Sequence, residues 1–201
     1  MLVPKNALII GSGRGFVPIL LAKALRDSDG SQLSFVDPSF DDNFWKDKAS
    51  VLAWFEEFGV ADYIKHFLMT TQEYVERYLQ GNAPTIDFLF IDGDHTYKGA
   101  ATDFKLLWPH LKKDAIVLAH DTVSRSRNPY WNGPRKVLLE LASERPDLQQ
   151  FDLPYGAGLT LLRSRGHVET ALYIEELEND WEDKESIDFF SDTDKGKLRG
   201  G

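Results

Sequence analysis

Ala7-Leu8-Ile9-Ile10-Gly11-Ser12-Gly13-Arg14-Gly15-Phe16 runs from four apolar residues, through three glycines, into a helical pattern. A short apolar run bounded by glycine reads as a buried strand. Glycine after it lets the chain turn tightly and approach a ligand backbone-first. The helix that follows offers free N–H groups and the positive end of its dipole. The segment therefore reads as a strand, a nucleotide- or cofactor-binding loop and a helix. Its spacing is G-x-G-x-G. The third glycine of the dinucleotide pattern would fall at Phe16, and the G-K-[ST] of a phosphate-binding loop is absent.

Outward from this segment the pattern repeats. Apolar runs at 33–36, 64–68, 88–91 and 115–119 read as further strands, with two late ones near 150–153 and 159–162. Helical spacing occupies 16–26, 44–58, 72–79, 100–111 and about 134–143. Pro134 suits the first turn of the last helix, and Pro146 follows its end. Alternation of this kind implies an α/β fold with a parallel sheet and helices on both faces. Such sheets bind ligands at the carboxyl ends of their strands.

The 201 residues carry 23 Lys and Arg against 32 Asp and Glu, a formal charge of −9, and no cysteine. The absence of cysteine excludes disulfides, thiolate metal sites and cysteine nucleophiles. The negative charge argues against nucleic-acid and anionic-membrane partners. No apolar run reaches the length of a membrane span, and the start lacks a signal-peptide core. A cytoplasmic location is expected. Residues 171–201 hold ten acidic residues against four basic ones. The expected organisation is therefore one domain over 1–166, then an acidic helix or tail over 167–201 that is partly mobile. Trp181 and Phe189-Phe190 keep a docking role open for that tail.

The residues after each strand carry the chemistry. Asp37 lies 22 residues beyond Gly15, where a carboxylate can accept both hydroxyls of an adenosine ribose. The alternative is a helix cap. After the fourth strand stands Asp92-Gly93-Asp94-His95, and after the fifth His120-Asp121. Adjacent parallel strands lie about 4.8 Å apart, so these two clusters should meet. Carboxylates that close repel one another unless a cation or proton intervenes. A divalent ion, Mg²⁺ or Mn²⁺, is the natural remedy. The alternative is helix capping by the acids and packing by His95. His66, His110 and His167 stand alone and are expected to be structural or exposed. Trp45, Trp54 and Trp108 are expected to pack.

Phe88-Leu-Phe-Ile-Asp-Gly-Asp-His-Thr-Tyr97 and Leu111-Lys-Lys-Asp-Ala-Ile-Val-Leu-Ala-His-Asp121 resemble the class I S-adenosylmethionine-dependent methyltransferases. The nearest branch is the metal-assisted small-molecule O-methyltransferases, which includes macrolide-, sugar- and cephalosporin-modifying enzymes. The resemblance covers roughly residues 7–162, and it implies a Rossmann-like, doubly wound, mostly parallel seven-stranded sheet. It further implies that Gly11, Ser12, Gly13 and Gly15 line the methionine and ribose part of the cofactor, that Asp37 holds the ribose and that Thr71 and Gln72 contact adenine. Asp92 would be a cofactor contact and the first metal ligand, with His120 and Asp121 completing the metal site. Asp94 would be the general base, with His95 its neighbour and rival. The acceptor would be a small hydroxylated molecule, and a homodimer is an open expectation.

The chain departs from the family at Ile9, where members carry an acid, and at His120, where many have one. Its first strand also starts within a few residues of Met1, where members commonly carry one or two helices. The expectation is a minimal or truncated version with a more open site. Arg125, Arg127, Tyr130 and Trp131 are candidates for a lid over an anionic or aromatic acceptor. Other functions considered are a degenerate binding module on the same fold, an NAD(P)-dependent oxidoreductase and a metal-dependent glycosyltransferase using Asp92-Gly-Asp94. The glycine spacing and the lack of Tyr-x-x-x-Lys oppose the oxidoreductase, and the glycine loop opposes the glycosyltransferase.

Overall fold

A computed structural model describes residues 3–13, 15–28, 32–40, 43–81, 85–123 and 132–164. All lie in the first of two units, Met1–Gly166 and His167–Gly201. The expected lid residues and the acidic tail fall outside the described residues.

Seven strands form one sheet: β1 (Ala7–Ile10), β2 (Leu33–Val36), β3 (Ile64–Phe67), β4 (Ile86–Ile91), β5 (Leu111–His120), β6 (Leu148–Leu153) and β7 (Leu159–Ser164). Their order is β3-β2-β1-β4-β5-β7-β6. The first five run parallel, while β7 pairs antiparallel with both β5 and β6. The expected doubly wound, mostly parallel sheet is thus observed. Among the described residues, five α-helices flank it: α1 (Phe16–Arg26), α2 (Lys48–Glu57), α3 (Thr71–Tyr74, continued by a π turn), α4 (Tyr97–Leu107) and α5 (Gly133–Glu144). Among the described residues no helix is long and apolar enough to cross a membrane.

The apolar residues divide between the two faces. Ile9, Phe35 and Phe90 meet Ile19, Ala22 and Leu25 of α1 and Val51 and Phe55 of α2. Leu8, Ile10, Leu89 and Ile91 meet Tyr74, then Ala100, Phe104 and Leu107 of α4, and Val137 and Leu138 of α5. Alternate residues of one strand face opposite ways, which is why Ile9 and Ile10 enter different cores. Each fully buried aliphatic side chain contributes about 1.5–3 kcal/mol.

Local chemistry fixes the helix starts. Asp47 accepts from the Ala49 and Ser50 amides and starts α2. Thr70 and Glu73 form a reciprocal capping box at α3. The Thr96 hydroxyl accepts from the Gly99 amide at α4, and Pro134 occupies the first turn of α5. Three expected boundaries move for such reasons. The helix over 44–58 is interrupted at Asp47, the helix over 100–111 starts at Tyr97, and β5 starts at Leu111. The extra residues of β5 sit at a register shift, since Ile86 pairs with Leu111 but Phe88 with Ile116.

Register sets the level of every site residue. Ile10 lies beside Val36 on one side and Ile91 on the other, and Ile91 beside Ala119. Gly11, Asp37, Asp92 and His120 therefore leave the sheet at one height. The strand order reverses between β1 and β4, which places the crevice there.

Candidate active site at the strand ends

The glycine loop is held from below. The Gly11 amide donates to the Val36 carbonyl at 2.8 Å, and the Asp92 amide to the Ile10 carbonyl at 2.8 Å. Gly11 has φ +65°, and a Cβ there would stand 2.4 Å from the Asp92 carbonyl oxygen. Only glycine fits such an approach. Gly13 has φ +55° with open space where its Cβ would be. Trp45 supports the loop, since its indole N–H donates to the Gly13 carbonyl at 2.8 Å and its ring lies against Gly15. The Ser12 hydroxyl is buried and has no hydrogen-bond partner among the described residues.

Asp37 follows β2 and accepts from the Ser39 amide at 2.7 Å. Behind it, the His66 ring stacks on Phe35 at 5.1 Å and tilts against Trp45 at 5.2 Å. Burial lowers His66 to about 4, against a hydrogen bond to the Asp37 backbone that raises it. Thr71 is buried at the start of α3 and Gln72 is exposed beside it. Gln72 donates to Glu76.

The β4 and β5 ends meet. His95 Nε2 lies 3.0 Å from Asp121 Oδ2 and 3.5 Å from Asp92 Oδ1. His120 Nδ1 approaches the same Asp92 oxygen at 3.0 Å and Asp121 Oδ2 at 3.7 Å. Burial pushes the Asp92 carboxyl up, but the hydrogen bonds from His120 and His95 outweigh it and leave it below the usual range. The hydrogen bond to Asp92 raises the His95 imidazole against the opposing effect of burial, with help from the Asp121 charge. Asp121 has a left-handed backbone, φ +53°. Aspartate tolerates that conformation better than most side chains, and it aims the carboxylate at His95.

Asp92, His95 and Asp121 each offer a donor atom, and the three lie within 4.8 Å of one another. His95, expected as a base, thus joins the two acids in the group that could hold a cation, while His120 flanks that group. Asp94 points elsewhere. Its carboxylate accepts from the Thr96 amide at 2.8 Å and the Thr96 hydroxyl at 3.0 Å, bracing the start of α4. A small cavity of about 10 Å³, room for a single water, lies beneath this cluster, between Asp92–His95 and His120 on one side and the core residues Ile91, Ala100, Phe104 and Ala119 on the other. The start of α5 closes one side, where a Cβ on Gly133 would strike the His95–Thr96 backbone.

Two residues escaped the sequence reading. Trp45 was legible as packing but not as the support of the loop. Asp103 lies on the buried stripe of α4 with Ala100, Phe104 and Leu107. A carboxylate at i+3 of an apolar stripe was the available signal. Asp103 is 8% exposed. Burial raises it to about 6, against a hydrogen bond from Thr71, and the Asp94 charge adds to the rise.

Residues 8–122 match the family model described as "Methyltransferase domain". Among solved structures, the fold is similar to the O-methyltransferase TomG of Streptomyces achromogenes, solved with SAM (22% identity, TM-score 0.60, covering 81% of this chain and 74% of that one). It is also similar to an O-methyltransferase of Bacillus cereus solved with SAH (19% identity, TM-score 0.64, covering 80% and 74%). At these identities the structural likeness shows a shared fold and no more. An uncharacterized protein of Sinorhizobium fredii, y4gI, is 35% identical over 82 residues, which are 39% of this chain and 8% of that protein.

Proposed function

The chain belongs to the methyltransferase-domain family, and from that premise we propose that it transfers a methyl group from S-adenosylmethionine to a hydroxyl of a small acceptor. The observation that carries this reading is a juxtaposition. A glycine loop with an orphaned, buried Ser12 hydroxyl abuts, through the Gly11–Asp92 backbone contact, a His–Asp cluster able to move a proton.

The residues fit the cofactor. Gly11, Ser12, Gly13 and Gly15 would hold its methionine and ribose end, Asp37 the ribose hydroxyls, and Thr71 and Gln72 the adenine. S-adenosylmethionine supplies a methyl group on a sulfonium, a good leaving group. What this chain must then do is align the acceptor oxygen and remove its proton. We assign that role to His95 over Asp94, because the Asp94 carboxylate is engaged at the α4 start, while the contacts of His95 with Asp121 and Asp92 use one of its two ring nitrogens. Asp121 and Asp92 orient the imidazole and balance its charge after it takes the proton.

Asp92, His95 and Asp121, with His120 beside them, also suit a divalent cation such as Mg²⁺ or Mn²⁺. A cation held there would lower the pKa of an acceptor hydroxyl. His95 Nε2 faces both carboxylates, so without a cation it carries the proton it donates to them, and a base role would fall to the other ring nitrogen. Ile9, fully buried in the α1–α2 core, stands where family members carry an acid and favours a second reading, a binding module without turnover. We also propose a cytoplasmic location without nucleic-acid or membrane partners.

Calorimetric titration with S-adenosylhomocysteine, with and without Mg²⁺ and with NADH as control, tests the reading. Binding is expected for S-adenosylhomocysteine alone among the two nucleotides. A silent titration overturns the active-methyltransferase reading, and heat from NADH replaces it with an oxidoreductase. Binding without methyl transfer to any of a panel of hydroxylated acceptors supports the module.

A further inference from the structure

Asp103 is a carboxylate placed where an apolar residue would pack better. It belongs to the stripe by which α4 faces the sheet. Its Oδ2 lies 2.8 Å from where a Cβ on Gly93 would be, and that same point is 3.4 Å from Ile10 Cγ2. The carboxylate therefore sits directly under the turn after β4, beside the end of β1. Thr71, the first residue of α3, stands close enough for its hydroxyl to lower the carboxyl against the effect of burial. A buried acid costs stability unless it is hydrogen-bonded or paired, and proteins keep such costs chiefly at functional sites.

We propose that Asp103 is a positioning residue of this site: its carboxylate ties Thr71 to the underside of the Gly93 turn and so fixes the spacing between two walls of the cofactor crevice. One wall is the start of α3, and the other is the turn that carries Asp92. Asp103 need not touch a ligand to act. The proposal rests on the reading of the crevice as an adenosine-cofactor site. It assigns a role to a residue four positions beyond Gly99, outside the segment whose pattern marks the site. Gly93 follows from the same geometry, because any larger residue there would displace the carboxylate.

The test is calorimetry of S-adenosylhomocysteine with wild type, Asp103→Asn, Asp103→Leu, Thr71→Val and the Asp103→Leu/Thr71→Val double variant, with Tm recorded for each. Binding of the analogue that carries hypoxanthine in place of adenine is measured in parallel. Asp103→Leu and Thr71→Val should each weaken S-adenosylhomocysteine about tenfold, and the double variant no further, because one link is broken in all three. Asp103→Asn keeps an acceptor oxygen and should stay within about threefold of wild type. The preference for adenine over hypoxanthine should shrink in the Leu and Val variants, which a loss of stability alone would not produce. Losses that add, or variants that bind like a wild type that itself binds, overturn this proposal and leave the cofactor reading intact. A wild type that does not bind overturns both. Should Asp103→Leu fail to fold, Thr71→Val and Asp103→Asn still decide the matter by the same criteria.

Discussion

His95 Nε2 and Asp121 Oδ2 stand 3.0 Å apart across the ends of two adjacent strands. The contact joins a residue of the β4–α4 turn to one whose backbone is held at φ +53°. His95→Gln should lower kcat by about 10²–10⁴-fold if the imidazole removes the acceptor proton. Asp94→Ala should act mainly on stability, by about 1 kcal/mol, since it braces the α4 start. Steady-state rates and thermal melts of both variants decide between them. A large rate loss confined to Asp94→Ala would hand the base role to Asp94.

Asp121→Asn keeps a side chain that tolerates the left-handed backbone but removes the charge facing His95. Any Mg²⁺ enhancement of S-adenosylhomocysteine binding should disappear in this variant, while binding without Mg²⁺ persists. An undiminished Mg²⁺ effect would place the ion elsewhere.

Gly11 and Gly13 share a positive φ but not their surroundings. Gly11→Ala drives a Cβ into the Asp92 carbonyl and should cost more than about 3 kcal/mol, read as a fall in Tm or in soluble yield. Gly13→Ala meets open space and should cost only about 1 kcal/mol in backbone strain. Gly13→Val should nevertheless abolish the calorimetric signal of S-adenosylhomocysteine, because its bulk enters the space left for a ligand. Equal melting losses at the two positions would contradict the geometry.

A buried and a half-buried group should tilt the pH dependence of stability in opposite directions. Asp103 titrates near 6 in the fold and near 3.8 unfolded, so the unfolded chain gives up this proton first. Stability is lost as the pH rises from 3.8 to 6, by roughly 3 kcal/mol at most. His66 titrates near 4 in the fold and near 6.5 unfolded, so stability is lost as the pH falls from 6.5 towards 4. The two slopes offset each other in the wild type. Relative to wild type, Asp103→Asn should therefore tilt the Tm profile upward from pH 4 to 6.5, and His66→Phe should tilt it downward. Parallel Tm profiles for all three proteins would refute both assignments.

Much of the sheet was legible because buried parallel strands are short apolar runs between turn residues. β1, β2 and α1 coincide with their sequence patterns. β5 was half hidden, because Lys112, Lys113 and Asp114 lie in a register shift where polar side chains reach solvent. The meeting of the β4 and β5 ends followed from strand spacing alone. Which imidazole would group with Asp92 and Asp121 did not, since both histidines reach the two acids. Asp103 was missed because helical periodicity sorts residues by apolar spacing and passes over a lone acid on the buried side. Trp45 was read only for bulk, as its hydrogen bond reaches a glycine 32 positions away.

The fit of Gly11 against the Asp92 carbonyl bears on how such a chain can drift. Every other amino acid brings a Cβ, so no neutral step leads away from Gly11. The constraint comes from the backbone and is indifferent to whether anything is methylated. A descendant that lost His95 or Asp121, and with them its chemistry, would still be selected to keep this glycine for the sake of folding. In such a lineage the glycine loop outlives the reaction it once served. The histidine and the two aspartates around it are the better witnesses of a working enzyme.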